Sequence, residues 1–303
     1  MVFAGIGNEW DLLFKSDYGD EGIRAVFETM IPGSKLHITV IDMWATILNY
    51  EEQRRNRKSP SRLFVSCTLL ANYVFDEEIC VEKRYKMFYK RMDEYLFKFH
   101  PHIDFQQIDL VFYPIISYDH FYLIVFNFQN CSCVIIDNIF SKQSFYVTYG
   151  SIPYDLAVFF KLHLDYVKHP KRSQMKPIHP TKFIMSWMTR ENYTDCGIFL
   201  MRHMETYKGQ ELQDWEVNLE VEDPDKDDQQ LQLAALRRKF CPKLPLLRSP
   251  PMPCPEFSGL SIFFCIRRAH SSYYRCVTEI YQQQPKSGKW ASSKTDCNAV
   301  DHA

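Results

Sequence analysis

Net charge is the first thing this sequence lacks: 36 Lys and Arg residues against 37 Asp and Glu leave a formal charge of -1. The chain therefore offers no electrostatic reason to bind nucleic acid or an anionic membrane. Long apolar runs are also missing, since no stretch approaches the roughly 18 residues of a membrane span. The opening MVFAGIGNEWDLLFKSDYGDEG has neither the basic segment nor the apolar core of a secretory signal. These absences lead to the expectation of an intracellular protein, in nucleus or cytoplasm, with no nucleic-acid or membrane partner. No internal repeat is present. The ten cysteines (67, 80, 131, 133, 196, 241, 254, 265, 276 and 297) form no CxxC and no paired Cys/His spacing, so no structural metal site is expected. Free thiols in a reducing compartment behave as small buried hydrophobes. A chemical role for any one of them must come from its neighbours.

What is present is the composition of a globular protein, 46% hydrophobic and 24% charged. Residues 1–35 end at the Pro-Gly turn of IPGSK and read as a leader, partly packed or mobile. In LHITVIDMWATILNYEEQ, residues Val40, Ile41, Trp44, Ile47 and Leu48 fall at helical spacing, and the basic RRNRKSPSR that follows reads as a solvated connector. CVEKRYKMFYKRMDEYLFKF alternates basic and aromatic residues at spacings of three and four, as in a surface helix with an apolar stripe. From residue 108 the period changes. Short runs rich in Val, Ile, Phe and Tyr, broken by Pro114 and by a polar turn near QNCS, predict consecutive strands and a hairpin. A helix at YDLAVFFKLHLDYV, a short strand KFIMSW, a helix opening after Asp195 and a final helix LQLAALRRKF complete an α+β pattern, a mainly antiparallel sheet packed by helices. Residues 241–303 are Pro-dense and aperiodic, and read as an irregular, disordered tail.

One cysteine stands apart. In NYTDCGIFLMRHMETY, Cys196 heads an amphipathic helix, with Asp195 placed as its N-cap and Gly197 allowing close approach of the backbone. A helix N-terminus stabilises a thiolate. A nucleophile also needs a base and something to orient it. His120 opens the strand HFYLIVFNF and Asp137 closes the return strand CVIID. Folding that hairpin near residues 129 and 130 brings the two within one diagonal neighbour, and the register decides whether they face each other directly. A His with Asp at its other nitrogen is held in the tautomer that accepts a proton from a thiol.

The order His, Asp, Cys, with DHFYLIVFN, VIIDN and NYTDCGIFLMRHME, resembles the ubiquitin-like-protein proteases of the SUMO-protease type and their adenovirus-protease relatives. The seventeen-residue His-to-Asp interval and the Asn-x-x-Asp-Cys-Gly lead into a helix carry the resemblance, over roughly residues 36–240. The whole looks most like the plant branch spread with transposable elements. The resemblance implies a papain-like cysteine endopeptidase domain at 36–240 that acts after the Gly-Gly tail of a small ubiquitin-like modifier. It implies His120, Asp137 and Cys196 as base, orienter and nucleophile, no metal or organic cofactor, and a monomer whose partner is the modifier or its conjugates. Three positions depart from the family pattern. Phe121 stands where a Trp lies over the substrate tail, Arg190 where a Gln amide serves the oxyanion, and Leu36 near the Trp that begins the first helix. The departures at the accessory positions leave a rival reading, a pseudo-protease that binds the modifier without efficient turnover. A structural or nucleic-acid-associated role rests only on the basic runs 53–58 and 83–91.

Overall fold

A computed structural model of the chain describes residues 7–246, apart from 16–20, 71–73, 77, 100–102, 118, 176–178 and 191. The expected irregular tail lies outside the described residues beyond Leu246. The elements in chain order are β1 (Leu12–Lys15), β2 (Glu21–Ile23), α1 (Arg24–Glu28), α2 (Ile38–Glu52), β3 (Arg62–Phe64), α3 (Val81–Phe99), β4 (Leu110–Ser117), β5 (His120–Asn127), β6 (Ser132–Ile136), α4 (Phe145–Tyr149), α5 (Ile152–Tyr166), β7 (Thr181–Lys182), α6 (Cys196–Thr206) and α7 (Asp228–Phe240).

The two-residue period of a strand explains why β4 to β6 are apolar at nearly every position. Successive side chains point to opposite faces, and here both faces are covered. Leu110, Phe112, Leu123, Val125, Val134 and Ile136 enter a core shared with α2, α6 and α7. Their neighbours Val111, Tyr113, Ile124, Phe126, Cys133 and Ile135 enter a second core shared with α3 and α5. The strand order is β3-β4-β5-β6-β7. The central pairings are antiparallel, with Ser117 opposite His120 and Leu123 opposite Ile136, while the short outer strands β3 and β7 pair in parallel. The sheet is thus mixed, with its long pairings antiparallel.

Three sequence-based expectations change. Pro114 does not break a strand but lies inside β4, opposite Leu123. The carbonyl of Phe112 accepts from Val65 on the β3 side. Two residues on, the nitrogen of Pro114 faces that same side beyond the last β3 residue, where no ladder donor is needed. KFIMSW contributes only Lys182 to a strand, because after Phe183 N–H bonds to Ile135 the chain turns inward and buries Met185 and Trp187. It returns to the sheet end where Thr189 N–H donates to the Asn138 carbonyl and Phe140 N–H to that of Thr189. The third change is at the expected boundary of residue 240. The packed chain runs on through a 3-10 turn at Cys241–Leu246, in which Leu244 is 0% exposed within the first core. Within residues 1–35, Val26, Phe27 and Met30 enter the first core.

Helix α6 is apolar on nearly every side, as a helix must be when the core surrounds it. The Trp44 indole N–H donates to the Met201 carbonyl at 3.1 Å, joining α2 to α6. At the other end, the Arg62 guanidinium covers the carbonyls of Met204, Glu205 and Tyr207 at 3.2–3.3 Å, satisfying the last acceptors of the helix. Leu244→Ala should destabilise the protein by about 2–4 kcal/mol, as for other large-to-small core changes. Urea unfolding checks this, and an unchanged midpoint would return residues beyond 240 to the status of an unpacked tail.

Candidate active site

Ser117 and His120 pair across the end of β4 and β5, and just before His120 the residue Asp119 takes a φ of 65°. This left-handed conformation suits Asp better than a β-branched residue. Asp119 also pairs with Lys35. His120 is the first residue of β5. Continuing the β5–β6 register one step past Leu123 and Ile136 would set Asp137 opposite Tyr122, which makes His120 its diagonal neighbour on the same face. The contact forms: His120 Nε2 lies 2.8 Å from Asp137 Oδ1.

A carboxylate buried to 1% exposure needs donors on both oxygens. Asp137 Oδ1 also accepts the Ile139 N–H at 2.9 Å, while Oδ2 accepts the Tyr149 hydroxyl at 2.7 Å and lies 3.7 Å from Lys182 Nζ. Burial works to raise its proton affinity, but the His120 hydrogen bond and charge, the Ile139 N–H and Lys182 outweigh it and hold the carboxyl below its ordinary range. The His120 ring is opposed by burial too. Hydrogen bonds and charge from Asp137 and Cys196 overcome that and push it up to about 9. Asp137 occupies Nε2, while Nδ1 is buried and has no hydrogen-bond partner among the described residues. The raised value favours the charged form of the ring at neutral pH.

Cys196 is the first residue of α6, 2% exposed, with Sγ 3.7 Å from the Tyr193 carbonyl. Asp195 precedes it, but not as the expected side-chain cap. No side-chain hydrogen bond caps this helix. The Asp195 carboxylate turns instead to Asn192 Nδ2 at 3.0 Å and to the guanidinium of Arg237. Gly197 faces a side chain rather than a strand: a Cβ built there would lie 2.9 Å from both Cβ and Cδ1 of Leu36. Leu36, at the place where the resemblance puts a Trp, thus packs directly on the start of α6.

Arg190 and Phe121 do not stand as the resemblance implies. The Arg190 guanidinium lies over the Phe140 ring, 5.9 Å from its centroid, on an exposed residue whose N–H donates to Glu222. A pairing with Glu191 falls outside the described residues. Phe121 is 3% exposed, a core side chain that offers almost no surface to a bound tail. The other histidines behave as core or surface groups. Burial lowers His163 to about 4 and His203 to about 3, and neutral His203 accepts the Trp187 indole N–H at 3.1 Å. Burial raises the thiols of Cys67, Cys133 and Cys241, the direction of inert cysteines. Among the described residues, no three His, Cys, Asp or Glu side chains gather as a metal site, and no helix is long and apolar enough to cross a membrane.

Tyr149, Lys182 and Arg237 were not singled out in the sequence. Nothing local marks the first two. Arg237 did carry a signal, because Leu233, Arg237 and Phe240 recur at the spacing of one helix face and all three are buried.

The α+β architecture, a mixed sheet with helices on both faces, is that of the Ulp1-type SUMO protease domains. The chain is similar to the C-terminal Ulp1 protease domain solved in complex with Smt3, the yeast ortholog of SUMO. That likeness has a TM-score of 0.56 at 15% identity, over 82% of this chain and 92% of that one. It is also similar to SUMO protease Ulp1 with its catalytic cysteine oxidised to a sulfenic acid (TM-score 0.53, 15% identity, 78% and 88% covered). A third likeness is to a de-sumoylating protease (0.50, 12%, 90% and 98%). No family model matches this sequence, and no curated protein matches it by sequence.

Two expectations follow from this geometry. The His120 ring should titrate near 9 by NMR, and in Asp137→Asn the midpoint should fall toward the ordinary 6.5. Because the folded value is raised, the stability His120 contributes is complete below about pH 6.5 and is lost as pH rises through about 9. Asp137 has the opposite sign: its contribution is present above 3.8 and is lost as pH falls through its lowered value. A His120 midpoint at or below 6.5 in the unaltered protein would contradict the contact. Gly197→Ala, in turn, should cost about 1–3 kcal/mol through overpacking on Leu36, although Ala is the better helix former. A neutral or stabilised variant in urea unfolding would remove the Leu36 constraint.

Proposed function

We propose that the chain is a cysteine endopeptidase that cleaves after the Gly-Gly tail of a small ubiquitin-like modifier. Cys196 is the nucleophile, His120 the base and acid, and Asp137 the group that orients His120. The observation that carries the reading is the His120–Asp137 contact of 2.8 Å, with Cys196 at the start of a core helix adding to the raised proton affinity of His120. The modifier as partner is supported by the similar Ulp1 domain, which was solved with Smt3.

In the reaction the Cys196 thiol proton resides on His120, and the sulfur attacks the carbonyl carbon of the terminal glycine to form a C–S bond. The tetrahedral oxyanion collapses, the C–N bond breaks, and His120 gives its proton to the leaving amine. Water then attacks the thioester, its proton passing to His120, and the carboxylic acid and the thiol are released. Asp137 keeps one tautomer and one ring orientation throughout, and its charge stabilises the imidazolium. Every step is a proton or acyl transfer, so the reading calls for no metal or organic cofactor.

One observation favours a second reading. With the Arg190 guanidinium over Phe140, the side-chain donor that the resemblance puts at this position is not supplied, which suits a binding module with slow or no turnover. The test is a panel of ubiquitin-like proteins carrying a C-terminal electrophile. The proposal expects covalent labelling of Cys196 by at least one of them, abolished in Cys196→Ser and His120→Ala, with turnover of the matching Gly-Gly amide. Noncovalent binding without labelling would leave the binding module standing. Labelling of Cys131 instead would overturn the nucleophile.

A further inference from the structure

An ion pair that takes no part in the acyl-transfer steps adjoins the nucleophile. Arg237 is 1% exposed, and its Nε and Nη2 reach Asp195 Oδ1 at 2.9 and 2.6 Å. The rest of the guanidinium donates to the carbonyls of Thr29, Ile31 and Ser34 at 2.9, 3.1 and 2.7 Å. Asp195 Oδ2 is taken by Asn192. Both oxygens of the residue at the N-cap position are therefore engaged away from the helix. An Asp left free at that place accepts N–H groups of the first turn. Here the Asp195 carbonyl receives the N–H groups of Ile198 and Phe199 at 2.8 and 3.0 Å, while those of Cys196 and Gly197 have no acceptor among the described residues.

We propose that Arg237 is a positioning residue for the reaction: by clamping Asp195 against Asn192, it keeps a carboxylate off the first turn of α6 and leaves the Cys196 and Gly197 N–H groups free for the oxyanion. The inference rests on the acyl-transfer reading above. Two physical effects point the same way. A carboxylate that captured the first-turn N–H groups would occupy donors that must already be aimed at the developing charge. Its own negative charge, one residue from the sulfur, would also oppose both the thiolate and the tetrahedral intermediate. Arg suits the task where Lys does not, because a rigid planar fork can grip the carboxylate and three carbonyls together.

The test uses the full chain and a fluorogenic Gly-Gly aminocoumarin amide of whichever ubiquitin-like protein labels Cys196. Arg237→Gln should lower kcat by about 10²- to 10³-fold, the range for loss of an oxyanion donor, with KM within about threefold, since ground-state binding is untouched. Adding Asp195→Ala to that variant should restore kcat at least about tenfold, because the interfering carboxylate is gone. A merely structural role cannot give that recovery, since the double variant has lost more contacts. Should Arg237→Gln fail to fold, Arg237→Lys decides, with an expected loss of about tenfold in kcat at unchanged KM. An unchanged kcat in the folded variant, a change confined to KM, or no recovery in the double variant overturns the inference. Absence of turnover in the unaltered protein overturns the enzyme reading itself.

Discussion

The buried carboxylate of Asp137 is the constraint on which the site depends. A charge this far from water survives only if both oxygens are met by donors or cations, and its three hydrogen-bond donors and one ammonium come from four places. His120 comes from the start of β5, Ile139 from the turn after β6, Tyr149 from α4 and Lys182 from β7. Losing the packing of any one segment would strand part of the charge. Lys182 is itself held by the Ile139 carbonyl at 3.0 Å and sits over the Tyr149 ring, so the groups around the carboxylate are fixed against each other as well as against it. The orientation of His120 is in this way a property of the whole sheet end.

That dependence explains what the sequence could and could not disclose. The His120–Asp137 pairing was legible because a hairpin obeys arithmetic: two strands, one turn and a period of two confine the partners to a narrow choice. Cys196 was legible through its place at the head of an apolar helix. Tyr149 and Lys182 were not, because each reaches Asp137 from an element whose position is set by tertiary packing rather than by local pattern. The same holds for β3 and β7, of three and two residues, too short to carry a period. Pro114 misled for a related reason, since its cost in a strand depends on whether the neighbouring strand extends that far, which only the parallel register of β3 decides.

Asp195 shows how a local rule yields to a distant charge. Position and residue type both favour a side-chain cap, worth about 1 kcal/mol. The contact of two nitrogens of a buried guanidinium with Asp195 Oδ1 outweighs this, because leaving Arg237 unpaired in the core would cost several times as much. The helix therefore begins without a side-chain cap, and the carboxylate of the residue before Cys196 is ion-paired with Arg237 instead.

Helix α6 is gripped along its length by contacts to fixed elements: Leu36 against Gly197 at its start, the Trp44 indole at the Met201 carbonyl, and Arg62 over its last carbonyls. Arg62 belongs to β3, and β3 pairs with β4, which is hydrogen-bonded to β5 and thus to His120. A continuous chain of strand pairing and helix contacts therefore joins the Cys196 helix to the strand of His120. Close packing resists displacement of either element, so the positions of Cys196 and His120 are set by the core and the sheet rather than by a loop.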